Sequence, residues 1–231
     1  MTKAEIYQEI RNGAPMYYGE APELLEALEE LENQELLEDL DALYQEWSSL
    51  PKLYCTDDEN ELKHIEECEA LFSFLTEAIF NHGDPSVIPH LLKYVPSDDD
   101  DKDSVFMEDY SSEQICNGIC SARYFGESYI PVLLSCIHEL VPRAMGAARW
   151  FFYSMLYDNF ENFLNNQPLV KNLRMVQKDL FKEILQSCIQ EITEKFQKSK
   201  KEANIKSIKS SQEDLERIER VHQEFLKICE Q

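Results

Sequence analysis

The side chains of this chain best suited to chemistry are its cysteines, its histidines and its runs of acid, and their spacing argues against catalysis. Cys116 and Cys120 stand four apart, so a helix carries them on one face at a metal-ligand spacing. No second pair of Cys or His follows at the distance a zinc site uses, which makes core packing the better reading. His138-Glu139 begins like the H-E-x-x-H motif of metallohydrolases, but Pro142 stands where the second histidine belongs. His138 suits a helix end, near the negative pole of the dipole. Cys136 and His138 are two apart and leave a helix in different directions, so they make no thiol-imidazole pair. The nucleophile elbow, the P-loop and the dinucleotide-binding glycines are absent from the sequence. No catalytic residue, metal or cofactor is expected, and the chain is not read as an enzyme.

The run Asp98-Asp99-Asp100-Asp101-Lys102-Asp103 lacks the alternating ligands and the glycine that fold a calcium loop inward, and it reads as a solvated loop. Aromatic residues flank it at Tyr94, Phe106 and Tyr110, and acidic surfaces with embedded aromatics suit protein partners. Together with Asp57, Asp58, Glu59, Glu108 and Asp109 they form the candidate partner-binding surface. The seven cysteines are an odd set lying mostly among apolar residues, which points to reduced, buried thiols.

Charge divides the chain. Residues 1–113 hold 30 Asp and Glu against 6 Lys and Arg, a net of −24, whereas residues 114–231 hold 15 against 16. A surface so acidic repels polyanions, so the first half is not expected to bind nucleic acid directly. Its self-repulsion costs stability, which favours a role in attracting a basic protein partner over solubility alone. The start of the chain offers no apolar run for a secretory signal, and no stretch reaches the roughly eighteen apolar residues of a membrane span. The protein is read as cytoplasmic.

The elements that must position these residues are helices. Hydrophobic residues make up 43% of the chain and glycine numbers only six, as suits helices joined by short turns. From Pro22 the apolar residues Leu24, Leu25, Leu28, Leu31, Leu36, Leu37, Leu40, Leu43 and Trp47 step by three and four, the pattern of amphipathic helices that close at Pro51. A helix with one apolar face follows the turn Asp57-Asp58 and continues to Asn81. Gly83-Asp84-Pro85 reads as a stop, an N-cap and a first-turn proline for a short helix ending at Pro96. Helices carrying Ile115 and Ile119, and then Ile130 to Leu140, come next, separated by Gly126. The aromatic-rich stretch 144–164 is expected as the structural centre. A long helix from Pro168, a loosened Lys- and Ser-rich turn over Lys198 to Ser211, and a last helix from Leu215 form a C-terminal hairpin.

Within this series Val87-Ile88-Pro89-His90-Leu91-Leu92 recurs as Tyr129-Ile130-Pro131-Val132-Leu133-Leu134, a shift of 42 residues that falls in the range of HEAT and armadillo units. A lone helix pair cannot bury its apolar face, so such units stack. The expected fold is all-α, a HEAT/armadillo-like helical repeat (an alpha-alpha superhelix) with a C-terminal helical hairpin. Residues 1–165 form the acidic region and 166–231 the hairpin, on one core.

At Gly83 to Leu92, and again at Tyr129 to Leu134 followed by Ala147-Ala148-Arg149-Trp150, the chain resembles the small HEAT-like immunity proteins of bacterial polymorphic toxin systems, over roughly residues 60–165. The resemblance implies an inhibitor that binds a cationic toxin domain, often a nuclease, and acts by occlusion without catalysis. A cytosolic HEAT-like adaptor, in which acidity serves solubility, is the alternative. An enzyme acting on DNA bases through such a fold needs a basic groove; Arg123, Arg143 and Arg149 are its candidates, and ion pairing with nearby acids is the simpler reading of them.

Overall fold

The computed structural model describes residues 1–13, 21–51, 55–95, 109–119, 122–126, 128–140, 147, 151, 175–202 and 204–230. Among these residues there are helices and no strand, so the chain is all-α. It divides into two compact units, Met1–Val132 and Leu133–Gln231. The division falls inside the helix Tyr129–Leu140. Among the described residues no helix is long and apolar enough to cross a membrane.

In the first unit, α1 (Lys3–Arg11) opens with a capping box: Thr2 Oγ1 accepts from the Glu5 amide and Glu5 returns a carboxylate to the Thr2 amide. α2 (Pro22–Glu29) starts on a proline that needs no amide partner there. α3 (Asn33–Ser48) follows after a short turn. Both lay their leucines inward, Leu24 and Leu28 from α2, and Leu36, Leu37, Leu40 and Leu43 with Trp47 from α3. Each buried leucine contributes about 1.5–3 kcal/mol from apolar area removed from water.

These helices pack on α4 (Glu59–Asn81), which Asp58 caps by accepting from the Asn60 amide. The expected single apolar face holds only for its first half. From Ala70 to Phe80 every residue is buried, because α1, α2, α3, α6 (Asp109–Ile119) and α7 (Ala122–Phe125) all pack against it. The polar residues of that stretch have partners. Thr76 donates to its own Phe72 carbonyl at 2.8 Å, Gln114 of α6 donates to Thr76 Oγ1 at 2.8 Å, and Tyr124 donates to Glu77 at 2.6 Å. α4 is thus the central helix of the first unit; residues 144–164, expected as the structural centre, lie outside the described residues except for Ala147 and Phe151.

The two copies of the sequence repeat both follow a glycine in left-handed conformation, Gly83 at φ +66° and Gly126 at φ +55°. They differ beyond that point. The first is a 3-10 turn (Pro85–Val87), a single α turn, α5 (Ile88–Leu91), and a second 3-10 turn (Leu92–Tyr94). Pro85 and Pro89 both lack an amide hydrogen, so the i to i−4 ladder cannot close between them, and Ile88 bonds Pro85 three residues back. The second copy opens α8 (Tyr129–Leu140), a regular helix in which Pro131 falls in the first turn.

In the second unit, α9 (Met175–Lys201) and α10 (Ile205–Cys229) pack together along a seam. Ile184, Leu185, Cys188 and Ile192 are buried on one helix, and Ile218, Val221 and Phe225 on the other. The hairpin is as expected; its turn is not. Only residues 202–204 separate the helices, so most of the Lys- and Ser-rich stretch is helical. Asn204 stops the looseness by accepting from the Ser207 amide at 3.1 Å, and the Ser199 and Ser207 hydroxyls meet at 2.7 Å beside the turn.

One packing detail carries a prediction. A Cβ placed on Gly118 of α6 would lie 2.0 Å from the ring of Phe80, which is buried and bordered by Tyr124 at 5.3 Å and Phe125 at 6.0 Å. The ring has nowhere to swing, so Gly118→Ala is expected to destabilise the fold by about 1–3 kcal/mol. A urea midpoint equal to that of the wild type would contradict this packing.

Candidate functional site

Most of the polar chemistry of the first unit gathers on α3. Its carboxylates reach three neighbouring segments, α1, α4 and the stretch that ends at Tyr94. Lys3 pairs with Glu35 at 2.8 Å and with Asp39 at 2.9 Å, and Tyr7 donates to Asp39. Two turns further along both helices, the Arg11 guanidinium forks onto Glu46 with both contacts at 2.7 Å. The order of these pairs shows that α1 and α3 run alongside each other in the same direction. On another side of α3, Asp41 accepts from Lys93 at 2.5 Å, from Tyr94, and meets His90 Nε2 at 3.1 Å.

Glu46 is the centre of the densest group. Besides Arg11, its Oε1 meets His64 Nε2 at 2.7 Å and lies 3.9 Å from Cys68 Sγ, both on α4. The donor atoms of Glu46, His64 and Cys68 all lie within 4.8 Å of one another, which makes this the one group among the described residues able to hold a metal ion with three such ligands. The Arg11 hydrogen bonds, followed by that of His64, hold the Glu46 carboxyl down at about 2. Burial, and then the neighbouring Glu46 charge, push the Cys68 thiol up to about 12, so it is a poor nucleophile.

The sequence carries a signal for this site. His64-x-x-x-Cys68 has the same i, i+4 spacing as Cys116 and Cys120, on a helix that the pattern already predicts. Glu46 and Arg11 carried no such signal, since only tertiary packing brings them there. Of the pair Cys116 and Cys120, Cys116 is buried and Cys120 lies outside the described residues. The described cysteines are free thiols, four of them buried, with Cys229 half-buried and Cys55 exposed against expectation.

Of the candidate partner-binding residues, Asp57, Asp58 and Glu59 are exposed at the start of α4. Tyr94 is not a surface anchor. It is 3% exposed, its hydroxyl is held by Asp41, and its ring lies 5.2 Å from that of Tyr44. Nothing in its sequence position separated a tyrosine beside an acidic loop from one closing the core. Asp109 and Tyr110 open α6, with their side chains outside the described part. Asp98, Asp99, Asp100, Asp101, Asp103, Phe106 and Glu108 lie outside the described residues, as do Arg143, Arg149 and the side chain of Arg123.

The charges of residues 1–95 sort themselves. Each lysine and arginine described there is in an ion pair: Lys3, Arg11 and Lys93 with α3, and Lys63 with Glu67 of its own helix at 3.5 Å. Among the described residues Glu23, Glu26, Glu30 and Glu32, in and just after α2, have no cation, and all four are exposed. Comparison of the chain with protein-family models, with curated proteins and with solved structures gives no match.

The depressed Glu46 carboxyl fixes the sign of a pH effect. Its contribution is fully present above its ordinary value of 4.5 and is lost as the pH falls toward about 2. The Arg11 and Glu46 side chains are 22% and 35% exposed, so solvent screening limits this contribution to about 1 kcal/mol. With chelator present, Glu46→Gln is expected to lower the urea midpoint above pH 4.5, and its gap to the wild type is expected to close toward pH 2. A gap independent of pH would show that the ionised carboxylate is not what holds α1 to α3.

Proposed function

We propose that this chain is an inhibitor of the immunity type, which binds a basic protein domain and occludes it with an acidic surface carried on a HEAT-like helical scaffold. The observation that carries the reading is the sorting of charge. The described cations of residues 1–95 are engaged by carboxylates within the fold, so the exposed glutamates around α2 and the acids Asp57, Asp58 and Glu59 present an uncompensated field to solvent. Such a field raises the encounter rate with a cationic partner and disfavours anionic ones. The proposed contact surface joins these residues to the run Asp98 to Asp103 with Phe106, Glu108, Asp109 and Tyr110. Inhibition by coverage needs no catalytic group, in keeping with the protonated state of Cys68 at neutral pH.

The test uses the C-terminal domain of the protein encoded by the adjacent gene as the partner. Its association rate with the full chain is expected to fall at least tenfold between about 0.1 M and about 1 M salt, where the screening length shrinks from about 10 Å to about 3 Å. Replacing Asp98 to Asp101 by Ser is expected to slow association in the same direction at low salt. Tight binding with a rate indifferent to both changes would favour an adaptor whose acidity serves solubility.

A further inference from the structure

We propose that His64, Cys68 and Glu46 form a binding site for a thiophilic divalent cation of the zinc class, which would clamp α3 to α4. The three side chains supply one nitrogen, one sulfur and one oxygen, each a zinc ligand type. Two of them sit one helical turn apart on α4 and the third reaches across from α3. A tetrahedral ion with bonds of roughly 2.0–2.3 Å sets its donors roughly 3.3–3.8 Å apart. Two of the present separations, 2.7 Å from Glu46 Oε1 to His64 Nε2 and 3.9 Å from Oε1 to Cys68 Sγ, lie on either side of that range, and all three donors lie within 4.8 Å of one another.

Access and charge are also suitable. The side chains of His64 and Glu46 are 40% and 35% exposed, while Cys68 is fully buried beneath them, so an ion enters from solvent and finds the thiol at the floor of the site. The fourth ligand is a water molecule. Among the described residues Arg11 opposes a cation here, since it acts on the Cys68 thiol as well as on Glu46, and a bound ion displaces it from the thiol. Arg11 grips Glu46 with two parallel bonds, Nη1 to Oε1 and Nη2 to Oε2. When Oε1 turns to the ion, Oε2 keeps Nη2, and Arg11 then orients the ligand from outside, as the outer partners of metal ligands do. Glu67, which acts electrostatically on both Arg11 and Cys68, offsets part of the added positive charge.

Protons balance as follows. The Cys68 thiol gives its proton to solvent and binds as thiolate, and the nearby divalent charge makes that ionisation favourable. His64 binds as the neutral ring through Nε2, with its proton on Nδ1. No oxidant or reductant takes part. The site is independent of the acidic surface proposed for partner binding, and its failure would leave that proposal standing.

The experiment is a titration of the reduced full-length chain with cobalt(II), whose thiolate complexes show a charge-transfer band in the near ultraviolet. One equivalent is expected to produce the band, and zinc, which ranks above cobalt for such donors, is expected to displace it. Cys68→Ser is expected to abolish the band, whereas Cys55→Ser and Cys229→Ser keep it. His64→Ala, at a partly exposed position, is expected to weaken binding at least about tenfold, as loss of a ligand should. No band at one equivalent of cobalt, a band that persists in Cys68→Ser, or unchanged affinity in His64→Ala would overturn the assignment.

Discussion

The first unit depends on one constraint: α4 is buried on every side from Ala70 to Phe80, so other helices must surround it. Apolar burial supplies most of that stabilisation, but it is non-directional and would accept many arrangements of the surrounding helices. Direction comes from α3. Its carboxylates at positions 35, 39 and 46 take Lys3 and Arg11 in order along α1, and Asp41 takes the segment ending at Tyr94. A helix shifted by one turn along α3 would meet the wrong carboxylate, and the planar fork of Arg11 makes its pairing with Glu46 the most specific of these contacts.

This use of cations has a consequence for the surface. A region with 30 acids and 6 bases has few positive groups to distribute, and those described in residues 1–95 are engaged in fastening the helices or bracing one of them. The surplus acids are left facing water. Repulsion among them opposes compaction, and the half-buried pairs on α3 offset it where the helices meet. Structure and field are therefore one arrangement: the same shortage of lysine and arginine that leaves the exterior acidic also makes each internal pair matter to the fold.

Much of the helix pattern was legible in the sequence because local chemistry decides it. The Asp57-Asp58 turn, the length of α4 to Asn81 and the Gly83-Asp84-Pro85 punctuation all correspond to caps and turns seen in the structure. α1 was missed although its signal is local too: Thr2 and Glu5 stand at capping-box spacing, with Ile6 and Ile10 one turn apart. What the sequence hid was tertiary. Ser73, Thr76 and Glu77 look like a solvated face of α4 and are buried, because α6 and α7 bring Gln114 and Tyr124 to them. Tyr94 looks like a surface aromatic and is core, because Asp41 lies 53 residues away in the chain and beside it in space. The 42-residue recurrence of Val87 to Leu92 at Tyr129 to Leu134 was visible as sequence, but its two copies differ in structure, the first a broken helix and the second a regular one.

The buried polar residues of α4 have a physical purpose that its apolar neighbours cannot serve. Gln114 reaches Thr76 and Ser73, and one turn further along α6 Gly118 admits the ring of Phe80, one turn further along α4. Both contacts advance by four residues on each helix, so the two helices run in the same direction here. Sliding α6 by one turn would bring Gln114 against the Phe80 ring and withdraw the Thr76 hydrogen bond. The polar contact and the glycine notch thus specify the same register by different means. Loss of the notch introduces a steric clash, whereas loss of the Gln114 amide leaves the buried Thr76 hydroxyl with its bonds to its own helix alone. The notch excludes wrong positions and the hydrogen bond rewards the right one, which is why an interior that could have been wholly apolar keeps these side chains.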